Sequence, residues 1–401
     1  MTGTNGKTTT CHLIAEILER AGKKVGMTTS IDFKIGKKIW ANNTKQGMQG
    51  RFKLQKLLKR MAKAKCDYAI IETTSEGIKQ FRHCFIDYHI AVLTNVTPDH
   101  LEAHGGMEKY CQAKEELFKY ISKKSGKNKN YTSVINLDSP FFKKFLQYEA
   151  DNLCGYEIEK NNLDLALKNK IIRAEKIKYH DLHSHFNLAT QGGNIRVKLN
   201  LPGKFNIYNG LAAACTALSQ KIGIKTIKKT FFKISLVSGR MEEIKNEKNF
   251  RIFVDYAHSE DALLNVYDTI AQMPHNKIIA VLGATGGGRD KSKRPILGEL
   301  AGKYADIIII TNEDPYNEDP EQIMDQVLEG VYKIRSKTDQ RIFKIISRKK
   351  AIHQALKKAE KNDIVIITGK GAETVMAVKG GKFVPFDDRE IVREWLKGDK
   401  N

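Results

Sequence analysis

Cysteine is scarce in this chain. Cys11, Cys66, Cys84, Cys111, Cys154 and Cys215 are the whole complement in 401 residues, and no two of them form a CxxC pair. That scatter excludes a zinc ribbon or a disulfide framework and fits reduced thiols in a cytosolic protein. No apolar run approaches the roughly 20 residues that a membrane helix needs, so no membrane partner is expected. No apolar leader precedes the first motif, and no signal peptide is read. Internal repeats and low-complexity segments are missing too. So is any interleaving of basic and aromatic residues of the kind that stacks bases.

Charge of one sign is in excess. Lys and Arg number 68 against 46 Asp and Glu, a formal +22. A basic balance raises the question of nucleic acid. The positive residues are spread along the chain, however, and the densest runs, 119–129 and 221–233, read as a loop and a helix face. Solvated lysines are the expectation and no nucleic-acid partner is assigned, although a positive field favours anionic substrates such as nucleotides.

The most informative run present is GTNGKTTT, Gly3 to Thr10. A Gly-rich turn followed by Lys-Thr cradles phosphates. The backbone N–H groups of Gly3, Thr4, Asn5 and Gly6 and a helix N-terminus face the anion, with Thr9 in the first turn. Lys7 reaches the outer phosphates and the Thr8 hydroxyl can take Mg²⁺. No glycine lies five residues before Gly6, so the loop is a shortened version. Such a loop normally hangs from a buried strand, yet only Met1 and Thr2 precede it. Either the chain is a fragment, its start lies upstream, or the sheet closes without that strand.

Apolar β-rich runs alternate with helical periodicity, which indicates α/β architecture with parallel sheets. The first helix is expected over 7–21 with Gly22 closing it. Strands are expected at 25–28, 68–72, 90–95 and 133–136, and helices at 51–63, 107–122 and 205–221. Antiparallel edge strands should fill 152–201. A second α/β unit has strands at 252–255, 278–283, 307–311 and 364–368, with helices at 260–272, 295–304, 320–334, 350–358 and 389–396. The reading is a P-loop parallel-sheet ATPase domain over 1–237, followed by a smaller Rossmann-like α/β domain over 238–401.

Several polar clusters fall at strand ends, the ligand edge of such sheets. Glu72 ends YAIIE, where a second Mg²⁺ ligand would sit beside a phosphate loop. In LTNVTPDHLEAHG, Thr97 and Pro98 suit a helix start. His100 and His104 are left over, one helical turn apart. Lys114 lies in AKEELF on the next helix, where a lysine is ordinarily solvated. Arg240 in SGRMEE has paired donors for phosphate, and Asp255 and His258 end a strand; as isolated residues these could equally be hinge ion pairs. GATGGGRDKSKRP resembles an anion loop with Arg289, Lys291, Lys293 and Arg294 supplying charge, and GKGAE, Gly369 to Glu373, is a second such turn.

The order of these motifs resembles the Mur ligase family, the ATP-dependent amide ligases of peptidoglycan precursor synthesis, from Gly3 to about Val392. The similarity is greatest to the branch that acts on UDP-N-acetylmuramoyl-dipeptide. TGTNGKTTT, TNVTPDHLEAHG, AKEELF, GRME, VDYAHSEDAL, GGGRDKSKRP, EDPYNEDP and GKGAE occur in that family's order. The resemblance implies an acyl-phosphate mechanism with ATP and Mg²⁺, closing around a hinge near Val237, in a cytoplasmic and monomeric enzyme. It implies that Lys7 contacts the γ-phosphate, that Thr8, Glu72 and His100 hold metal, and that Lys114 carries a carbamate. Asn206 and Asn209 match adenine-side residues, and Arg240 and Asp255 match nucleotide contacts. Arg289, Asp314, Tyr316, Gly369 and Glu373 fall where the family reads the incoming amino acid.

Four departures from the family pattern are visible. The strand before the loop is missing, as is the N-terminal domain that holds uridine diphosphate. The substrate-side SSH motif reads Thr74-Ser75-Glu76, which leaves Ser75 as its matching residue. DNPR reads Glu313-Asp314-Pro315-Tyr316, without the arginine that would clamp the distal carboxylate of diaminopimelate. The expected partners are therefore a UDP-linked muramoyl peptide and a free amino acid of unspecified kind. Folylpolyglutamate synthases, poly-amino-acid ligases and a nucleotide-binding protein without ligase activity are the alternatives.

Overall fold

The computed structural model describes residues 1–99, 101–126, 130–159, 171–234 and 236–398. They form two compact units. One comprises Met1–Pro98 and His104–Ser235; the other comprises Leu236–Asn401 together with Asp99–Ala103.

The first unit is organised by the strand that sequence reading found missing. Met1 and Thr2 hold its place. The Met1 amino group donates to the Ile71 carbonyl at 3.1 Å, and Thr73 N–H donates back to the Met1 carbonyl at 2.8 Å. On the other side Thr2 N–H donates to Val92 O (2.8 Å) and Thr94 N–H to Thr2 O (3.0 Å), a parallel bridge to Leu93. Two residues thus stitch the strand Tyr68–Ile71 to Ile90–Leu93. Outward from the first of these, Val25–Thr28 pairs in parallel, and the hairpin Asp32–Ile35 and Lys38–Ala41 completes the edge. Outward from the second, Thr132–Asn136, Asn152–Glu157 and Ile171–Tyr179 continue in parallel. Ser184–Thr190 and Gly193–Leu199 then run antiparallel.

Asn152–Glu157 is parallel to both its neighbours, against the antiparallel expectation for 152–201, which holds for the meander of Ile171–Tyr179, Ser184–Thr190 and Gly193–Leu199. Residue pattern marks a strand and carries no information about its direction. The 32–41 hairpin has no apolar run to mark it, since Lys34, Lys37 and Lys38 interrupt its two short strands and the turn between them.

The helix Lys7–Arg20 buries Leu13, Ile14, Ile17 and Leu18. It ends in a Schellman motif: Lys23 N–H reaches Leu18 O and Gly22 N–H reaches Glu19 O. Gly22 takes φ +81°, a conformation open to glycine at no steric cost.

In the second unit the strands Arg251–Val254, Ile364–Ile367, Ile278–Leu282, Ile307–Thr311 and Ile342–Ile345 lie side by side in parallel, with the short Glu242–Glu243 antiparallel at one edge. Near-continuous runs of Ile and Val are what a sheet covered on both faces requires. Ile279, Val281, Ile309, Val365 and Ile367 form its core with Ala351, Ile352 and Leu356 of the helix Arg348–Lys358. A fully buried ion pair, Arg348 with Asp388 at 2.7 Å, fastens the closing helix Asp388–Gly398.

Two helices of this unit, Lys293–Tyr304 and Pro320–Tyr332, approach backbone to backbone. A Cβ on Gly298 would collide with the Val327 carbonyl, and one on Gly330 with the Pro295 carbonyl. Since rigid backbone is the obstacle, Gly330→Ala must push the helices apart. The expected loss of stability is about 1–3 kcal/mol, read as a lower urea midpoint with an unchanged m-value.

Candidate active site

Because Met1 and Thr2 are clamped between two strands, the loop that follows is fixed at its root. Gly3 and Gly6 then make the turn that no other residue could. Gly3 has φ +150° and Gly6 φ +80°. A Cβ on Gly3 would strike the Thr94 hydroxyl, and one on Gly6 the Asn209 side-chain oxygen. The far wall of the loop is the segment after Leu93. Thr4 N–H donates to Asn95 O (3.0 Å), Asn5 N–H to Asn95 Oδ1 (2.9 Å), and Thr94 Oγ1 to Asn5 O (2.6 Å).

Thr97 and Pro98 do not open a helix, which begins only at Leu101. Thr97 instead grips the loop: its N–H donates to Thr4 Oγ1 (3.0 Å), and Thr4 Oγ1 donates to Thr97 O (3.1 Å). Of the two leftover histidines, His100 lies outside the described residues. His104 is buried edge-to-face against Tyr110, ring centroids 5.1 Å apart. Burial holds its imidazole below the usual value, and the Lys114 ammonium adds to the effect.

Two lysines converge on this loop. Lys7 arches back so that Nζ donates to Gly3 O (3.0 Å) and Thr4 O (2.7 Å). Lys114 comes from the helix Met107–Ser122 and is 1 % exposed. Its Nζ donates to the same Gly3 carbonyl at 3.0 Å and lies 4.1 Å from the Tyr110 ring centroid. The expectation of a solvated helix lysine fails here, because the helix packs this face inward beneath the loop.

Oxygen donors gather at the first turn of the helix Lys7–Arg20. Thr8 Oγ1 donates to Glu72 Oε2 (2.9 Å) and lies 2.9 Å from Ser30 Oγ; Ser30 N–H also reaches Glu72 Oε2 at 2.9 Å. Two hydroxyls and a buried carboxylate beside a phosphate loop form a hard-oxygen set of the kind Mg²⁺ takes, so the residues present fit that ion. Ser30 carried no signal in the sequence. Ser75 is buried at the start of the helix Ser75–Lys79, whose Thr74 cap accepts from Gly77 N–H at 3.0 Å.

Asn206 and Asn209 reach the loop from the helix Lys204–Ser219. Asn209 Oδ1 accepts from Thr10 Oγ1 (3.2 Å), its amide donates to Asn206 Oδ1 (3.0 Å), and Asn206 donates to Pro202 O (2.7 Å). The pair is fully engaged as a brace behind Gly6.

In the second unit the motifs stand at the carboxyl ends of parallel strands, where such sheets bind ligands. Asp255 follows Arg251–Val254 and accepts from Met241 N–H (2.6 Å) and Ala257 N–H (2.7 Å). Burial lifts its carboxyl above the usual range, against the pull of the Arg240 guanidinium. Arg240 stacks over the Tyr256 ring at 4.4 Å. Gly239 (φ +62°) packs against Gly371 and Ala372, so the SGRME and GKGAE turns touch through backbone.

Arg289 pairs with the Tyr316 hydroxyl. Asp314 Oδ1 accepts from Lys370 Nζ (3.1 Å) and Ala377 N–H (2.8 Å), and Glu373 Oε2 accepts from the same Lys370 (3.1 Å). Lys370, fully buried, is the hub that ties Asp314 to Glu373, and sequence reading passed over it inside GKGAE. Arg294, read as part of an anion loop, is instead spent on structure. It donates to Gln326 (2.7 Å), Glu318 (2.9 Å) and the Thr285 carbonyl (3.2 Å).

Glu313 sits behind this group. Thr285 Oγ1 donates to one carboxylate oxygen at 2.7 Å. Its other oxygen is buried without a hydrogen-bond partner and lies where a Cβ on Gly369 would be. Burial raises the Glu313 carboxyl above its ordinary value. The folded state therefore holds this proton to higher pH than the unfolded chain does, and stability falls as pH rises from the ordinary carboxylate value of about 4.3 through the raised one. Glu313→Gln keeps the shape and removes that loss. Unfolding free energies from pH 4 to 8 should diverge from wild type in the variant's favour as pH rises.

Against known proteins the correspondence runs the length of the chain. The Mur ligase middle domain matches residues 1–217, and the family described as "Mur ligase, glutamate ligase domain" matches residues 239–371. A UDP-N-acetylmuramoyl-L-alanyl-D-glutamate–2,6-diaminopimelate ligase of Caldanaerobacter subterraneus is 35% identical over 398 residues, covering 99% of this chain and 77% of that one. The enzyme of the same name from Geobacillus thermodenitrificans is 34% identical over 99% of this chain and 78% of its own. A solved structure of a ligase of that name superposes with TM-score 0.64 at 30% identity, over 100% of this chain and 78% of that one. A pseudomurein peptide ligase from Methanothermus fervidus shares the fold, with TM-score 0.68 at 20% identity, over 99% of this chain and 78% of that one. With both families matched in order and relatives of this identity covering it end to end, the chain belongs to the Mur ligases, enzymes that form amide bonds at the expense of ATP.

Proposed function

We propose that this chain joins an amino acid to a UDP-N-acetylmuramoyl-dipeptide, in the cytoplasm and as a monomer. The observation that carries the reading is the convergence of Lys7 and Lys114 on the Gly3 carbonyl, beside the Thr8–Glu72 pair. That arrangement suits a triphosphate whose terminal group is handed to a carboxylate.

The substrate carboxylate takes the γ-phosphoryl of ATP, releasing ADP and leaving an acyl phosphate. The amine of the second substrate attacks the acyl carbon, and inorganic phosphate departs from the tetrahedral intermediate. Lys7 holds the outer phosphate oxygens and the helix N-terminus that opens at Gly6 receives the inner ones, since the Thr4 and Asn5 N–H groups are already given to Asn95. Thr8, Glu72, His100 and Lys114 as its carbamate would hold Mg²⁺, which supplies charge neutralisation on the transferred group when bound. Carbamylation starts from the Lys114 ammonium, which gives up one proton to become the amine and a second as its nitrogen bonds to carbon dioxide, and so replaces a buried cation by an anion. Asn206 and Asn209 serve the adenine side by bracing Gly6. Arg240 and Asp255 serve as nucleotide contacts, and Ser75 as a contact to the peptide substrate.

Arg289, Asp314, Tyr316, Gly369 and Glu373 read the incoming amino acid. The relatives are named as diaminopimelate ligases. At residue 316 this chain has tyrosine where an arginine would clamp the distal carboxylate of diaminopimelate, so the identity of the amino acid is open to test. ADP release with UDP-N-acetylmuramoyl-dipeptide across a panel of amino acids reads it directly. Turnover only with folate and glutamate would overturn the muramoyl reading.

Two variants test the roles. Lys114→Ala should lower ligation by about 100-fold or more, with an unchanged circular dichroism spectrum and no rescue by excess bicarbonate; full activity would remove the carbamate. Arg240→Ala should raise the KM for ATP with the fold intact. Unchanged kinetics would take that arginine out of the nucleotide site.

A further inference from the structure

Eleven histidines occur in the sequence, and three of them, His180, His183 and His185, fall within six residues. They crowd the tip of the hairpin formed by Ile171–Tyr179 and Ser184–Thr190, among the strands farthest along the sheet from the phosphate loop. The local geometry explains the crowding. Tyr179 pairs with Ser184, and His180 N–H donates to His183 O at 2.9 Å, so Asp181 and Leu182 alone make the turn. His180 and His183 therefore face one another across the hairpin end. His185 lies two residues beyond His183 and projects from the same face, as strand alternation demands.

The rings meet in consequence. His180 and His183 stack with centroids 4.5 Å apart, and His185 stands edge-on to both at 5.2 and 5.0 Å. Ligating nitrogens from all three lie within 4.8 Å of one another. Two of them are closer still, with His185 Nδ1 3.3 Å from His180 Nε2.

We propose that this hairpin tip is a binding site for a divalent transition metal of the zinc class. Zn–N bonds of 2.0–2.1 Å in tetrahedral geometry place ligand nitrogens about 3.3 Å apart. The His180–His185 pair already has that separation, and His183 needs only a small side-chain adjustment. In the metal-free protein those two nitrogens can share a single proton; the metal replaces it with a bond to each. Imidazole donors suit Zn²⁺, Ni²⁺ and Cu²⁺ and suit Mg²⁺ poorly, so the site is distinct in kind from the oxygen set at Thr8 and Glu72. Three protein ligands leave a position for water or for the neighbouring Asp181 carboxylate, an anion that faces His183. Lys178, Lys198 and Arg196 face the cluster as cations and temper its affinity.

The test is Zn²⁺ titration of the chelator-stripped protein against a chromophoric chelator, with Co²⁺ as a spectroscopic probe. The expected result is one Zn²⁺ per chain, tetrahedral Co²⁺ absorption without sulfur charge transfer, and no competition from millimolar Mg²⁺. His183→Ala and His185→Ala should each weaken Zn²⁺ binding by about tenfold or more, and the triple alanine variant should abolish it while keeping its circular dichroism spectrum. Zn²⁺ binding that persists in the triple variant would assign the metal to the cysteines or the active site and overturn the proposal. So would the failure of wild type to compete with the chelator at all.

Discussion

Two ammonium groups share one carbonyl oxygen at the root of the Gly3–Thr10 loop. Lys7 and Lys114 each place Nζ 3.0 Å from Gly3 O, and so lie no more than about 6 Å from each other. At an effective dielectric of about 20, like charges at that distance repel by about 3 kcal/mol. The surrounding architecture bears this cost: a two-residue strand clamped on both sides, a glycine turn that admits no Cβ, and a helix that delivers Lys114 from below. The result is a preorganised hole of positive potential. Under the proposed function an arriving polyphosphate would relieve the repulsion, as would carbamylation of Lys114.

The second unit solves the opposite problem. Its polar residues are already paired, with Lys370 between Asp314 and Glu373, Arg289 against Tyr316, and Arg348 against Asp388. Glu313 beside them is a buried carboxyl with one oxygen unsatisfied. Neutralising it is the least costly state for the fold, which is why its proton is held more tightly than usual.

Much of this was legible in the sequence, for identifiable reasons. The phosphate loop was readable because glycine positions are dictated by backbone conformation. The parallel strands were readable because sheets covered on both faces demand unbroken runs such as IIAVL and IVII. The order of motifs carried the family. What escaped depended on contacts between segments distant in the chain. Thr97 looked like a helix cap because a Thr-Pro pair carries that signal, whereas its partner is Thr4, ninety-three residues away. Lys114 looked solvated and Lys370 went unremarked inside GKGAE because nothing local marks a lysine as buried. Arg294 looked like an anion ligand until Glu318 and Gln326 were found beside it. The His180–His185 cluster was visible as letters, but only the hairpin's register turns it into a constellation.

The contact between Gly239 and Gly371 has a consequence for how this unit can evolve. Each glycine occupies the space where the other's loop would need a side chain, so the two turns mesh like gear teeth cut to a single clearance. Neither can acquire bulk without the other retreating. Sequence drift in the region is thereby confined to paired changes, and a lone substitution at either tooth jams both.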